Sequence, residues 1–147
     1  MKNVIKFIAV VVVFAFVACS DSDSENLGGI SNTPLEGKVF GTSFKATGGK
    51  AFSSGNQVSV NITNVVADCN STIFDYDLYI STTVDNGVGS SNKTNVVFNK
   101  KGETPLNVIQ STVTVESITL EEVKIKIKSN SSSNNTIEGT FTVPFCK

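Results

Sequence analysis

Three thiols, Cys19, Cys69 and Cys146, and two aspartates spaced two apart, Asp75 and Asp77, are the residues of this 147-residue chain whose types and spacing could do chemistry. Positions i and i+2 of a strand share a face, so Asp75 and Asp77 would stand side by side, as a glycosidase carboxylate pair or metal ligands do. The commoner outcome is two solvated acids on the outside of a strand, and the rest of the sequence favours it. General acid–base and triad chemistry draws on histidine or on a carboxyl raised in a pocket. The chain has no histidine, and it has no arginine. An enzyme here would need Asp75, Asp77 or Glu121 to converge with a tyrosine or lysine in one pocket, so no catalytic residue, cofactor or metal is assigned. Asp85, Asn86 and Gly87 with Asn92 offer oxygens to a calcium ion, but they lack the ligand number and closing glutamate of a calcium loop. They read as a turn. Cys69 and Cys146 lack the CxxC spacing of a redox or zinc pair.

The elements that must position these residues are strands. Beyond residue 31 the pattern is apolar and polar alternation broken by turn residues, with no helical period. Gly37 and Gly41 flank Val39 and Phe40, predicting a short strand, a tight reversal and a second strand through Phe44. Gly48 and Gly49 predict another turn before Ala51 and Phe52. Val58, Val60 and Ile62 then alternate with Ser59, Asn61 and Thr63. Residues 73–82 repeat the pattern, with Phe74, Tyr76, Leu78 and Ile80 against Asp75, Asp77, Tyr79 and Ser81. Residues 85–92 are a loop by composition, and Val113 and Val115 mark a later strand. The clearest alternation sets Val123, Ile125 and Ile127 against Lys124, Lys126 and Lys128. These lysines line a solvent face where they deter edge pairing or meet Asp75 and Asp77 across strands, in preference to forming a basic ladder for an anionic ligand. Residues 129–135 read as a polar tip and 136–145 as the closing strand, with Ile137, Phe141 and Val143 inward. Asn61, Asn70, Asn92 and Asn130 each open an Asn-x-Ser/Thr triplet, which here reflects an Asn/Ser/Thr-rich surface. The fold class is all-β, read as an antiparallel β-sandwich of about eight short strands. A small calycin-like β-barrel is the alternative, placed second because closed barrels that hold a ligand use longer strands.

The N-terminal segment obeys a different rule. Lys2 and Lys6 introduce an apolar run over residues 7–16, closed by Val17, Ala18 and Cys19. That run is shorter than the roughly 20 apolar residues of a membrane-spanning helix, and an acidic, serine-rich stretch follows with no basic stop-transfer flank. The arrangement resembles the signal peptide and lipobox of bacterial lipoproteins. The resemblance implies removal of residues 1–18 and acylation of Cys19 with palmitate-like chains, two or three of which hold a protein on a membrane. Asp21, Asp23 and Glu25 resemble the export signal that takes lipoproteins of the Bacteroidota to the outer face of the outer membrane, and Ser20 argues against inner-membrane retention. The expected location is therefore the outer membrane, on the cell surface or the periplasmic face. Residues 37–44 and 139–146 resemble the small uncharacterised β-domain lipoproteins of the same group, a likeness that supplies no activity or ligand. The expected plan is a signal peptide at 1–18, a flexible acidic tether at 19–34 and a single β domain at 35–147.

With Cys19 assigned to lipid, Cys69 and Cys146 are left to pair in an oxidising compartment, fastening the last strand to the loop at 67–72. Losing Lys2 and Lys6 from 12 lysines against 13 acids leaves the mature chain mildly acidic. It has no basic patch for neutralising phosphates, so nucleic acid is not an expected partner. The expected function is a membrane-anchored, non-catalytic binding, adhesion or structural module that meets a surface protein or glycan. A carrier of a small apolar ligand inside a barrel is the alternative. The anchor is tested by feeding cells labelled palmitate: the wild-type chain should carry the label and Cys19→Ser should not. Label retained on the variant overturns the lipobox reading.

Overall fold

The computed structural model describes residues 29–147. Among them, β1 (Glu36–Val39), β2 (Thr42–Lys45), β3 (Gly48–Ser54) and β4 (Gln57–Thr63) precede a short 3-10 turn (Ile73–Asp75). Then follow β5 (Leu78–Asp85), β6 (Gly89–Lys100), β7 (Leu106–Ile118), β8 (Glu122–Ser132) and β9 (Asn135–Cys146). β1 and β2 form the hairpin expected around Gly41. Phe40 and Gly41 turn it with positive φ at both positions, 48° and 75°, the two-residue geometry that matches strand twist. Phe40, an unusual occupant, donates its N–H to Asn135 Oδ1 at 2.7 Å.

From β3 to β9 each strand pairs antiparallel with the next. β9 then returns to β3 in a short parallel pairing, Ala51 with Phe145 and Phe52 with Cys146. This closes a seven-strand barrel, and β1 and β2 extend from the edge of β9 that does not face β8. The fold is all-β as expected, but the two-sheet sandwich of short strands does not form. Strands β6 to β9 run 12, 13, 11 and 12 residues, because residues 89–92 and 129–132, read above as loop and tip, continue the ladders. Bulges between Asn92 and Thr94, Val115 and Ser117, and Asn130 and Ser132 interrupt the register. Such bulges bend a strand and increase its twist, which lets one long sheet curl until its ends meet.

The inward side chains form one contiguous cluster in which Phe44 and Phe98 are the largest members and are buried. Val58, Val60 and Ile62 of β4 and Val123, Ile125 and Ile127 of β8 enter it as the alternation required. Each such side chain contributes about 1.5–3 kcal/mol when removed from water. Ser129 is buried as well: Ser111 Oγ lies 2.7 Å from both Ser129 Oγ and the carbonyl of Val108. One hydroxyl proton goes to the carbonyl and the other links the serines, so neither oxygen is left unpaired.

The segment at 29–34, expected as the end of a tether, belongs to the barrel. Ile30 is buried, Ser31 donates its N–H to Glu138 Oε1 at 3.1 Å, and Thr140 exchanges backbone hydrogen bonds with Thr33 and Leu35. The expected signal peptide, Cys19 and the rest of the expected tether lie outside the described residues.

Cys69 and Cys146 are joined by a disulfide, with Cα atoms 5.4 Å apart and a sequence separation of 77. Closing a loop of that length removes unfolded-state entropy equivalent to about 4 kcal/mol. Replacing both cysteines by alanine should lower the unfolding free energy by about 2–5 kcal/mol, read from the urea midpoint without reductant. An unchanged midpoint would show that the bond adds nothing to the fold.

Candidate functional site

The link between β4 and β5 shapes a cleft on the surface. It leaves Thr63 and folds back over the outer face of the sheet instead of turning directly into β5. Gly48 permits this. A Cβ at Gly48 would lie 2.5 Å from the carbonyl oxygen of Val65, so only glycine lets the link lie flat against β3. Gly48 and Gly49, expected to make a turn, are instead strand residues chosen for close approach.

Further contacts hold the link in place. Gly49 N–H donates to the Ala67 carbonyl at 3.2 Å. Asp68 organises a small knot by accepting from Asn70 N–H at 2.9 Å and from the Ser71 hydroxyl at 3.0 Å. Lys50 Nζ donates to the Ser71 carbonyl at 2.7 Å, and the disulfide ties Cys69 to the end of β9. Ile73 is buried beneath the 3-10 turn, which leaves its neighbour Phe74 exposed and edge-on to Tyr79 at 6.1 Å between ring centroids. Burial pushes the Tyr79 phenol above its ordinary pKa, so it stays uncharged at neutral pH.

Between this link and the outside of β3 to β6 lies a cleft of about 560 Å³, within the usual range for small-ligand sites. Its floor comes from the polar sides of neighbouring strands: Ser59 and Asn61 of β4, Ser81 and Thr83 of β5, Asn95 and Val97 of β6. Lys50, Asn61, Ser81 and Val97 are register partners, one after another, across four strands. Phe52 and Phe74 stand along the walls. Asn61 is 8 % exposed, and its carboxamide has no hydrogen-bond partner among the described residues. Its polar atoms are not sealed off either, since no fully enclosed side-chain nitrogen or oxygen lacks a partner among the described residues. Ser59 and Thr83 hydroxyls lie 3.4 Å apart, and Asn95 Nδ2 donates to Asn107 Oδ1 at 2.8 Å. Lys50 is the single charged residue in the lining.

The residues singled out from the sequence are distributed differently. Cys69 lines the cleft and Cys146 anchors it from behind. Asp75 and Asp77 do not share a strand face, because the 3-10 turn replaces the expected strand over 73–77. Asp75 is exposed in that turn, and Asp77 faces a separate depression beside Lys100 and Lys101. Glu121 sits in the exposed turn before β8. These three carboxylates do not converge. Asp85 accepts from Gln57 Nε2 at 3.3 Å, and the turn after it is only residues 86–88, with Gly89 already in β6. No group of three or more His, Cys, Asp or Glu side chains suited to a metal ion occurs among the described residues.

The lysine stripe of β8 is an ion-pair ladder whose acids differ from those expected. Lys126 and Lys124 reach the two oxygens of Glu116 on β7 at 2.7 and 3.2 Å, and Lys128 reaches Glu138 on β9 at 3.2 Å. Asp75 and Asp77 take no part. The hydrogen bond from Lys126, with help from Lys124, holds the Glu116 carboxyl below its ordinary pKa.

No protein-family model, curated protein or solved structure matches the chain.

A carboxyl with a lowered folded pKa stabilises the fold above its unfolded pKa and loses that contribution as pH falls through the folded value. Glu116→Gln should therefore cost about 0.5 kcal/mol at neutral pH, a partly exposed pair being discounted for solvent screening. The gap from wild type should close below the carboxylate range, where Glu116 is itself neutral. Chemical denaturation at both pH values checks this, and a gap that persists in acid points to packing instead of charge.

Proposed function

We propose that the chain is a non-catalytic binding module of the bacterial cell envelope, held on the outer membrane by lipid at Cys19, that receives its ligand in the cleft beneath the disulfide link. The observation that carries the reading is Asn61: a residue 8 % exposed at the floor of a cleft, whose carboxamide is open to the cleft and has no side-chain hydrogen bond among the described residues. A ligand in the cleft can take the hydrogen bonds that this carboxamide otherwise gives to water, which a purely apolar floor could not offer. Cleft chemistry supports binding without turnover. Among the described residues no carboxylate lines the cleft, Cys69 is committed to a disulfide, and the chain has no histidine, so these lining residues supply neither an activated nucleophile nor an acid–base pair. The disulfide also suits an oxidising envelope compartment.

The small calycin-like barrel reading fits the closed sheet in shape. Its use as a carrier is less well supported, since Phe44, Phe98 and their neighbours occupy the interior, as side chains do in narrow barrels. Ligand binding is therefore placed outside.

Envelope extracts passed over the immobilised full chain and over Ser81→Trp, in which an indole fills the cleft, test the reading. Material should be retained by the wild-type chain and released by the blocked variant. Equal retention by both puts binding elsewhere.

A further inference from the structure

We propose that the cleft's ligand is a short, uncharged saccharide, with Asn61 bonding ring hydroxyls and Phe52 or Phe74 covering a sugar face. This inference rests on the cleft being the binding site. Asn61 offers both a donor and an acceptor, so its partner must return both, as adjacent hydroxyls do. Around it the floor continues in hydroxyls and amides. Ser59 and Thr83 hold each other only loosely at 3.4 Å, and Asn95 keeps its Oδ1 after giving Nδ2 to Asn107. The walls carry the complementary feature, phenylalanines left 38 % and 78 % exposed, which suit the apolar C–H face of a pyranose. Polar floor and aromatic wall together match a ligand that is hydroxylated at its rim and apolar on its faces.

Competing chemistries fit less well. An apolar ligand would bury Asn61 without completing it. A peptide adding itself as a strand needs a free sheet edge, whereas β4 and β5, which form the centre of the floor, are paired on both sides. An anionic ligand would meet a single ammonium, that of Lys50, already bonded to the Ser71 carbonyl at 2.7 Å.

Amide chemical shifts of the isotope-labelled full chain in detergent micelles supply the test, with maltotriose, cellotriose, trigalacturonate and trialanine as probes at millimolar concentration. A neutral trisaccharide should shift amides at 59–61, 70–74 and 81–83. Asn61→Ala should weaken it about tenfold with core amides unmoved. Phe74→Ala, an exposed change that leaves the fold alone, should weaken it several-fold, and Leu120→Ala, outside the cleft, should not. If trigalacturonate or trialanine shifts the cleft amides and the neutral sugars do not, the ligand class is wrong and the cleft reading stands. If sugars shift only amides elsewhere, or bind Asn61→Ala as well as wild type, the cleft is not their site.

Discussion

Closure of the barrel depends on β9 having two edges to satisfy. β8 fills one along nearly its whole length. The other is shared by three short pieces of chain: residues 33–35, β1 and the end of β3. The pairing with β3 is only two residues of parallel ladder, a geometry that holds slightly less well per residue than antiparallel pairing. The disulfide sits at that seam. Since Cys69 belongs to the link over the outer face, the covalent bond that secures the seam also fixes the cleft wall, and neither can shift without the other.

Much of the inward set was legible in the sequence because side-chain parity depends only on neighbours in the chain. Val58, Val60 and Ile62, and Val123, Ile125 and Ile127, entered the core as their alternation required. Strand ends were not legible. Ser129 reads as solvent-seeking, yet a partner 18 residues away satisfies it in the interior, and nothing local marks that. Gly48 and Gly49 misled for a related reason: a turn and a close backbone approach both call for a missing Cβ. Asp75 and Asp77 would have shared a face only in an extended chain, and the burial of Ile73 in a 3-10 turn removed that condition. The acids that meet the β8 lysines follow from which strands lie alongside β8, a tertiary fact.

The polar parity of Ser59, Asn61 and Ser81 was likewise visible in advance, but it marked them only as outward. Long-range packing turns an outward polar row into a cleft floor, through a link that returns over strands formed on either side of it. A narrow barrel fills its bore with side chains, so concavity has to be built by laying chain across the outside. The Asn/Ser/Thr-rich composition that looked like bare surface thereby includes a sheltered part, where amides and hydroxyls line a cleft.

β9 touches both ends of the described chain: Thr33, Pro34 and Leu35 meet Thr140, and Cys146 meets Cys69. A polypeptide that emerges N-terminus first lacks, until β9 arrives, the strand that β1, β3 and β8 all take as a neighbour. Contacts between such distant residues belong to the topologies that fold slowest. Without β9 the sheet from β3 to β8 has no strand through which to close on itself. Closure of the barrel therefore waits on the strand that comes last in sequence order, and the covalent clasp lies on that same strand.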